Sequence, residues 1–209
     1  EYLSGESGGG GGRLSAVMNF KLSLVCLGLV AGGSLAAAER AKNVILFLGD
    51  AGGISTLNAA GIYAHNKPQS LFIQSLPHVA LSDTSALDAW VTDSAAGMTA
   101  IITGRKTTNG TLSELPGATK GESGAPLKTL LEYAEEKGLA TGVVTNMPVW
   151  DATPAACYAH ASSRKSTAEI FAQVLAPRFG DGVDVLIGAD RKKLFAAMEK
   201  SGVDTDAAL

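Results

Sequence analysis

The sequence predicts an α/β fold with a central, largely parallel sheet flanked by helices. Three observations carry that prediction. Asn43-Val44-Ile45-Leu46-Phe47-Leu48-Gly49 is a continuous apolar run with β-branched residues, the pattern of a strand covered on both faces. Three further strand-like runs follow, and helical patterns alternate with them. Polar residues fall just past three of the four runs, where open parallel sheets bind ligands.

The elements follow in order. Asp50-Ala51-Gly52-Gly53 breaks the first run, and residues 54–65 read as a helix. His78-Val79-Ala80-Leu81-Ser82 is a second short strand. A helix runs from Ser94 to about Thr103 and stops at Gly104. Residues 105–124 are polar and rich in turn formers, which predicts a surface loop. Leu127, Leu130, Leu131 and Ala134 recur at helical spacing, and Gly138 closes that helix. Leu139 to Thr145 is a third strand, and residues 146–165 are irregular. Ile170, Val174 and Leu175 predict another helix, Val183 to Ile187 a fourth strand, and residues 190–201 a last helix. No internal repeat is visible.

The 209 residues suffice for one domain with a sizeable core, or for part of a larger one. A hydrophobic content of 46% excludes a disordered chain, and a net charge of −3 gives no broad basic face for nucleic acid or an anionic membrane. Residues 1–17 hold a glycine run and read as a low-complexity extension. Met18 is a plausible start, followed by a short positive region, an apolar segment and Ala36-Ala37-Ala38. That is the layout of a secretory signal peptide over residues 18–38, cleaved after Ala38. The glycines at 28, 32 and 33 and the short length argue against a membrane-spanning anchor. Cleavage predicts an exported protein, periplasmic or extracellular, that retains residues 39–209. Cys26 would leave with the leader, so Cys157 would have no partner for an intrachain disulfide.

The stretch from Trp90 to Ala100 is the most informative. It places Asp93-Ser94 directly before a run of small residues that starts a helix. A serine hydroxyl there lies at the positive end of a helix, beside N–H groups able to hold an anion. The ordinary reading is a helix cap, for which Ser and Asp are common. Asp50, accessible at a strand end, is a candidate metal ligand; a turn aspartate is the alternative. Asp151 and Thr153 stand two apart, so in an extended segment both face one side, and hard oxygen donors suit Mg²⁺. Their alternative is a cap or turn before Pro154. Arg164 has the guanidinium fork that matches two phosphate oxygens; a solvated basic pair with Lys165 is the alternative.

The three histidines, His65, His78 and His160, lack metal-ligand spacing, and His160 is read as structural and hydrogen-bonded. Lys106 is read as a surface charge and Trp90 and Trp150 as packing residues. Ser94 is in no Gly-x-Ser-x-Gly elbow, and neither a Walker loop nor Gly-x-Gly-x-x-Gly occurs.

These segments together resemble the metal-dependent, phosphoserine type of alkaline phosphatase. The matching pieces run in order: Lys42 to Asp50, Thr92-Asp93-Ser94-Ala95-Ala96, Thr103-Gly104-Arg105-Lys106-Thr107, Asp151 to Ala156, Tyr158-Ala159-His160, Ser163-Arg164 and Val185-Leu186-Ile187-Gly188. The resemblance implies hydrolysis of phosphate monoesters through a phosphoserine at Ser94. It implies that Asp50 bridges a zinc and a magnesium, and that Asp151 and Thr153 lie at the magnesium site. Arg164 would clamp the phosphate, oriented by Asp93. Two zinc ions and one magnesium per site are the implied cofactors, with a homodimer for the full-length enzyme. Two departures stand out. The family pattern Gly-Asp-Gly-Met-Gly here reads Gly49-Asp50-Ala51-Gly52-Gly53, and alanine takes a positive φ only at a cost. The family's remaining zinc and magnesium ligands come from its C-terminal half, so the chain resembles the N-terminal portion only. A truncated, non-catalytic fragment that retains a Mg²⁺- and phosphate-binding edge is therefore the alternative function. A sulfatase is disfavoured because Cys-x-Pro-x-Arg is absent.

Overall fold

A computed structural model describes residues 41–119 and 121–200. The chain divides into two compact units, residues 1–48 and 49–209. The N-terminal extension and the signal peptide read from residues 1–38 lie outside the described residues.

Of the first unit, residues 41–48 are described, and they form no strand. Val44, Ile45 and Phe47 are 83%, 77% and 87% exposed. The second expected strand, residues 78–82, is also absent, with Val79 and Leu81 exposed at 87% and 95%. Both corrections have one cause. An apolar run becomes a strand only when neighbouring strands satisfy its N–H and C=O groups. Among the described residues neither run has such a neighbour. Trp90, expected to pack, is likewise exposed, whereas Trp150 packs against the core.

Unit 49–209 carries the elements. Helix α1 spans Ile54–His65 and α2 Ser94–Thr103, both at their expected places. A single turn of 3-10 helix lies between them at Phe72–Ser75. Strands β1 (Glu114–Pro116) and β2 (Ser123–Pro126) pair antiparallel, and α3 follows at Leu130–Glu135. Then come β3 (Gly142–Pro148), α4 (Ala152–Ala155), α5 (Thr167–Leu175), β4 (Val185–Ala189) and α6 (Arg191–Lys200). The fold is α/β, and its parallel sheet consists of β3 and β4, joined in the register Val143–Leu186 and Val144–Ile187. Among the described residues the parallel sheet is two strands wide.

Helix ends obey local chemistry. Gly104 closes α2 at φ 72°, a left-handed position that costs glycine little. Thr129 starts α3 with a capping box: its hydroxyl accepts from Glu132 N–H, and the Glu132 carboxylate accepts from Thr129 N–H.

The core lies where the sequence looked least regular. Ala95, Met98 and Ile102 of α2 meet Ala152, Ala155, Ala156, Cys157, Tyr158, Ala159 and Ala161, with Leu112, Val143 and Ile170 completing the cluster. The alanines let the backbones approach closely, so α4 and its flanks pack against α2. Residues 105–124 are not simply a surface loop. Thr107, Thr111, Leu112, Ser113 and Glu114 are buried, and Leu112 forms an antiparallel bridge with Ala161, 2.8 and 3.0 Å in the two directions. Buried hydroxyls answer one another: Ser113 N–H donates to Thr99 Oγ1 at 2.9 Å, and Ser113 Oγ donates to the Ala156 carbonyl at 2.6 Å.

His160 is the structural histidine expected from sequence. Its Nδ1 lies 2.7 Å from the Ser113 carbonyl and its Nε2 2.7 Å from Glu132 Oε1, all buried. A carbonyl only accepts, so Nδ1 carries a proton. Phe179 meets the ring edge-on at 5.4 Å. Burial pushes the Cys157 thiol up to about 12.

Candidate active site

Four short segments of unit 49–209 supply the site. Each is placed by a turn or a helix start. The first is the turn after Gly49. Gly52 N–H donates to the Gly49 carbonyl at 3.0 Å, and a Cβ on Gly52 would stand 2.9 Å from that oxygen. Ala51 takes φ 53°, so this turn does require the left-handed conformation that glycine would fill without strain. The turn presents the Asp50 side chain.

The second segment is the start of α2. Asp93, with φ −90° and ψ 175°, is the N-cap, and its Oδ1 accepts from Ala96 N–H at 3.0 Å. Ser94 is the first helical residue, so it is not the cap. Its hydroxyl is free to donate elsewhere, and it donates to Asp50 Oδ2 at 2.8 Å. The third segment is the start of α4. Asp151 caps it, with Oδ1 accepting from Ala152 N–H at 2.8 Å. Thr153 Oγ1 donates to the same Asp50 Oδ2 at 2.9 Å.

The fourth is Arg164. Its Nη1 lies 3.3 Å from Asp93 Oδ2 and its Nη2 3.0 Å from Asp151 Oδ1. The guanidinium thus spans the two caps. All six residues singled out from sequence converge: Asp50 collects Ser94 and Thr153, and Arg164 collects Asp93 and Asp151. The expectation that Asp151 and Thr153 share one face of an extended segment is corrected. They sit on a helix start, where successive residues point in different directions, and one turns to Arg164 while the other turns to Asp50.

The Ser94 hydroxyl and then the Thr153 hydroxyl hold the Asp50 carboxyl below the ordinary carboxylate value. Partial burial opposes them, and the charge of Arg164 assists. Asp50 therefore stays anionic at neutral pH.

The donor set bears on the implied metals. Asp50, Asp151 and Thr153 offer only oxygen, and all three remain accessible enough for water to complete a shell, as Mg²⁺ requires. A zinc site does not fit these residues. Among the described residues no group of three or more His, Cys, Asp or Glu side chains could hold a metal, and zinc takes three or four such ligands. His160 is consumed by Ser113 and Glu132.

Lys106, read as a surface charge, reaches Asp83 Oδ2 at 2.9 Å and Ser85 Oγ at 2.8 Å. Two residues that the sequence reading did not single out touch the site from behind. Asn109 Oδ1 accepts from Asp93 N–H at 2.8 Å, and Gly110 N–H donates to Asp93 Oδ2 at 3.0 Å. Asn-Gly is a turn signal, but nothing in it points to a partner sixteen residues earlier.

Known proteins match the same stretch of chain. The alkaline phosphatase family model matches residues 41–207. The chain is 35% identical over 178 residues to the tissue-nonspecific alkaline phosphatase isozyme of Gallus gallus, a match covering 74% of this chain and 34% of that protein. It is 44% identical over 132 residues to the alkaline phosphatase of Escherichia coli (strain K12), covering 60% of this chain and 27% of that one. Among solved structures, alkaline phosphatase from the Antarctic bacterium TAB5 superposes with a TM-score of 0.58 at 25% identity, covering 73% of this chain and 43% of that chain. A histidine mutant of that enzyme, with Mg bound in its M3 site, superposes with a TM-score of 0.53 at 25% identity, covering 69% of this chain and 41% of that one. The chain spans about a third of the length of the curated relatives it matches. With the matched stretch running through all four segments of the site, the chain belongs to the alkaline phosphatase family.

Proposed function

We propose that the chain supplies the phosphoryl-accepting part of an enzyme that hydrolyses phosphate monoesters, with Ser94 as the nucleophile. One observation carries the reading. The Ser94 hydroxyl is the first helical residue of α2, is oriented by Asp50, and is adjacent in sequence to the aspartate that holds Arg164. The N-terminal amides of α2 and the guanidinium are both suited to a phosphate dianion.

In this reading Ser94 Oγ bonds to phosphorus as the bond from phosphorus to the alcohol oxygen breaks, and the alcohol leaves with a proton. Water then cleaves the phosphoserine, returning inorganic phosphate and the free hydroxyl. Arg164 pairs with the phosphate oxygens; Asp93 and Asp151 hold its fork in plane. Asp50 keeps the Ser94 hydroxyl aimed, and as a weak base it serves as an acceptor rather than a store for the proton. Asp50 and Thr153 would hold magnesium, with Asp151 acting through water; when bound, the ion lowers the pKa of nearby hydroxyls and water and neutralises phosphate charge. A similar solved structure, a mutant of the TAB5 alkaline phosphatase, has Mg bound in its M3 site, which supports a magnesium site in this reading. We infer that zinc ligands come from parts of the full-length enzyme outside these residues, and that the full-length enzyme is a homodimer. The leader read from sequence puts the enzyme in the periplasm or outside the cell. Among the described residues no helix is long and apolar enough to cross a membrane.

A second reading is favoured by one observation, the lack of a three-ligand metal group among the described residues. It holds that the 209-residue chain by itself binds phosphate or magnesium without turnover. The test compares the two proteins. The full-length enzyme is expected to hydrolyse p-nitrophenyl phosphate at alkaline pH, to lose this to a chelator, and to lose it in Ser94→Ala. Metal-independent hydrolysis at the parent rate by Ser94→Ala contradicts the assignment. Robust turnover by the 209-residue chain alone contradicts the second reading.

A further inference from the structure

We propose that Asn109, with Gly110, is the positioning residue that holds Asp93 and, through it, sets the geometry of Arg164. The proposal rests on the phosphate-monoester reading of the site and extends it behind the residues that would touch substrate.

Three polar groups of Asn109 are committed. Its N–H donates to Asp88 Oδ1 at 2.8 Å, its Nδ2 donates to the Val91 carbonyl at 3.0 Å, and its Oδ1 accepts from Asp93 N–H at 2.8 Å. The amide orientation is fixed by these partners, because a backbone N–H only donates and a carbonyl only accepts. Gly110 continues the clamp. Its N–H donates to Asp93 Oδ2 at 3.0 Å, and its carbonyl accepts from Arg164 N–H at 2.7 Å. One dipeptide therefore grips the Asp93 N–H, the carboxylate that holds Arg164, and the backbone of Arg164. Gly110 takes φ 90°, so a side chain there would strain the turn even though a Cβ would meet nothing within 4 Å.

The consequence is geometric. Asp93 has one oxygen on the Ala96 amide and the other shared between Gly110 N–H and Arg164. Without Asn109, the Asp93 N–H loses its anchor, and the carboxylate that holds Arg164 can shift. Misplacement of reacting groups by about 1 Å can cost up to about 100-fold in rate.

The test uses the full-length enzyme, with kcat/KM for p-nitrophenyl phosphate, the competitive inhibition constant of inorganic phosphate, and the melting temperature of each variant. Asn109→Ala is expected to weaken phosphate inhibition and to lower kcat/KM, each by as much as about 100-fold. In an Arg164→Ala background the same change is expected to cost less than about threefold, because the group it positions is gone. A merely structural asparagine would lower the melting temperature and leave both constants within about twofold of the parent. That result overturns the proposal, as does an equal fold loss in the two backgrounds. If Asn109→Ala does not fold, Asn109→Asp serves: it keeps an acceptor for Asp93 N–H but loses the donor to Val91 and sets a second carboxylate beside Asp93. It too is expected to weaken phosphate inhibition only while Arg164 is present, and unchanged inhibition overturns the proposal. Ser94→Ala is the control. If it stays active, the monoester reading fails and this proposal with it; if it is inactive while Asn109→Ala is neutral, the positioning role alone fails.

Discussion

Residues 93–175 and the stretches 41–48 and 78–91 are both rich in apolar side chains, yet they behave oppositely. In the first, Ile170, Leu112 and Ala155 are fully buried around the site. In the second, Phe47, Val79, Leu81 and Trp90 lie almost wholly in solvent. Composition does not separate them; partners do. Residues 93–175 interlock through the Leu112–Ala161 bridge, the Thr99–Ser113–Ala156 hydroxyl chain and the His160–Glu132 pair. The apolar runs have no strand beside them among the described residues. Burial, and with it order at the site, comes from groups that satisfy one another's backbone and polar atoms.

The largest expected effect breaks the packed region. Ile170→Ala should cost about 2–5 kcal/mol, read by denaturant unfolding, because it opens a cavity that alanine neighbours cannot refill. Leu81→Ser should change stability by less than about 0.5 kcal/mol in the same chain, since Leu81 is already hydrated. Equal losses from the two would erase the contrast between the regions.

Ala51→Gly gives a smaller effect with the opposite sign. Releasing the left-handed strain at Ala51 should raise stability by about 0.5–1 kcal/mol after the added freedom of glycine in the unfolded chain is deducted. No gain in midpoint would mean that the turn relaxes around alanine. A smaller effect still is expected from acid. The Asp50 carboxyl is held below its ordinary value, so the folded state binds fewer protons than the unfolded state in this range. The stability this contributes is present above the ordinary carboxylate pKa and is lost as pH falls through the lowered one. Asp50→Asn should flatten that acid limb, and its exposure to water keeps the effect small. An unchanged pH profile in Asp50→Asn would show that Ser94 and Thr153 do not hold the carboxylate in solution.

The same comparison explains what the sequence could tell. The helix starting at Ser94 was legible from its cap, and the helix holding Ile170, Val174 and Leu175 from its periodicity, because both signals are local. Asp50, Asp93, Ser94, Asp151, Thr153 and Arg164 were legible as a set through the order of the motifs that resemble the family, since taken singly each has an ordinary turn, cap or surface role. The runs at 43–49 and 78–82 read as strands because an apolar pattern records a preference and not the presence of a neighbour. Residues 107–114 read as surface because Thr and Ser are polar; Thr111 and Ser113 are buried with their hydroxyls paired, which no local pattern shows. Asn109 escaped notice for the same reason. Its partners lie at 88, 91 and 93, and only the fold brings them together.

The central claim is that Ser94 receives the phosphoryl group. The most direct measurement is to quench the full-length enzyme during turnover of a phosphate monoester and locate the covalent phosphate by peptide mass spectrometry. Phosphate is expected on the peptide containing Ser94, at Ser94 itself, and none in Ser94→Ala. Covalent phosphate at another residue, or turnover at the parent rate in Ser94→Ala, would contradict it.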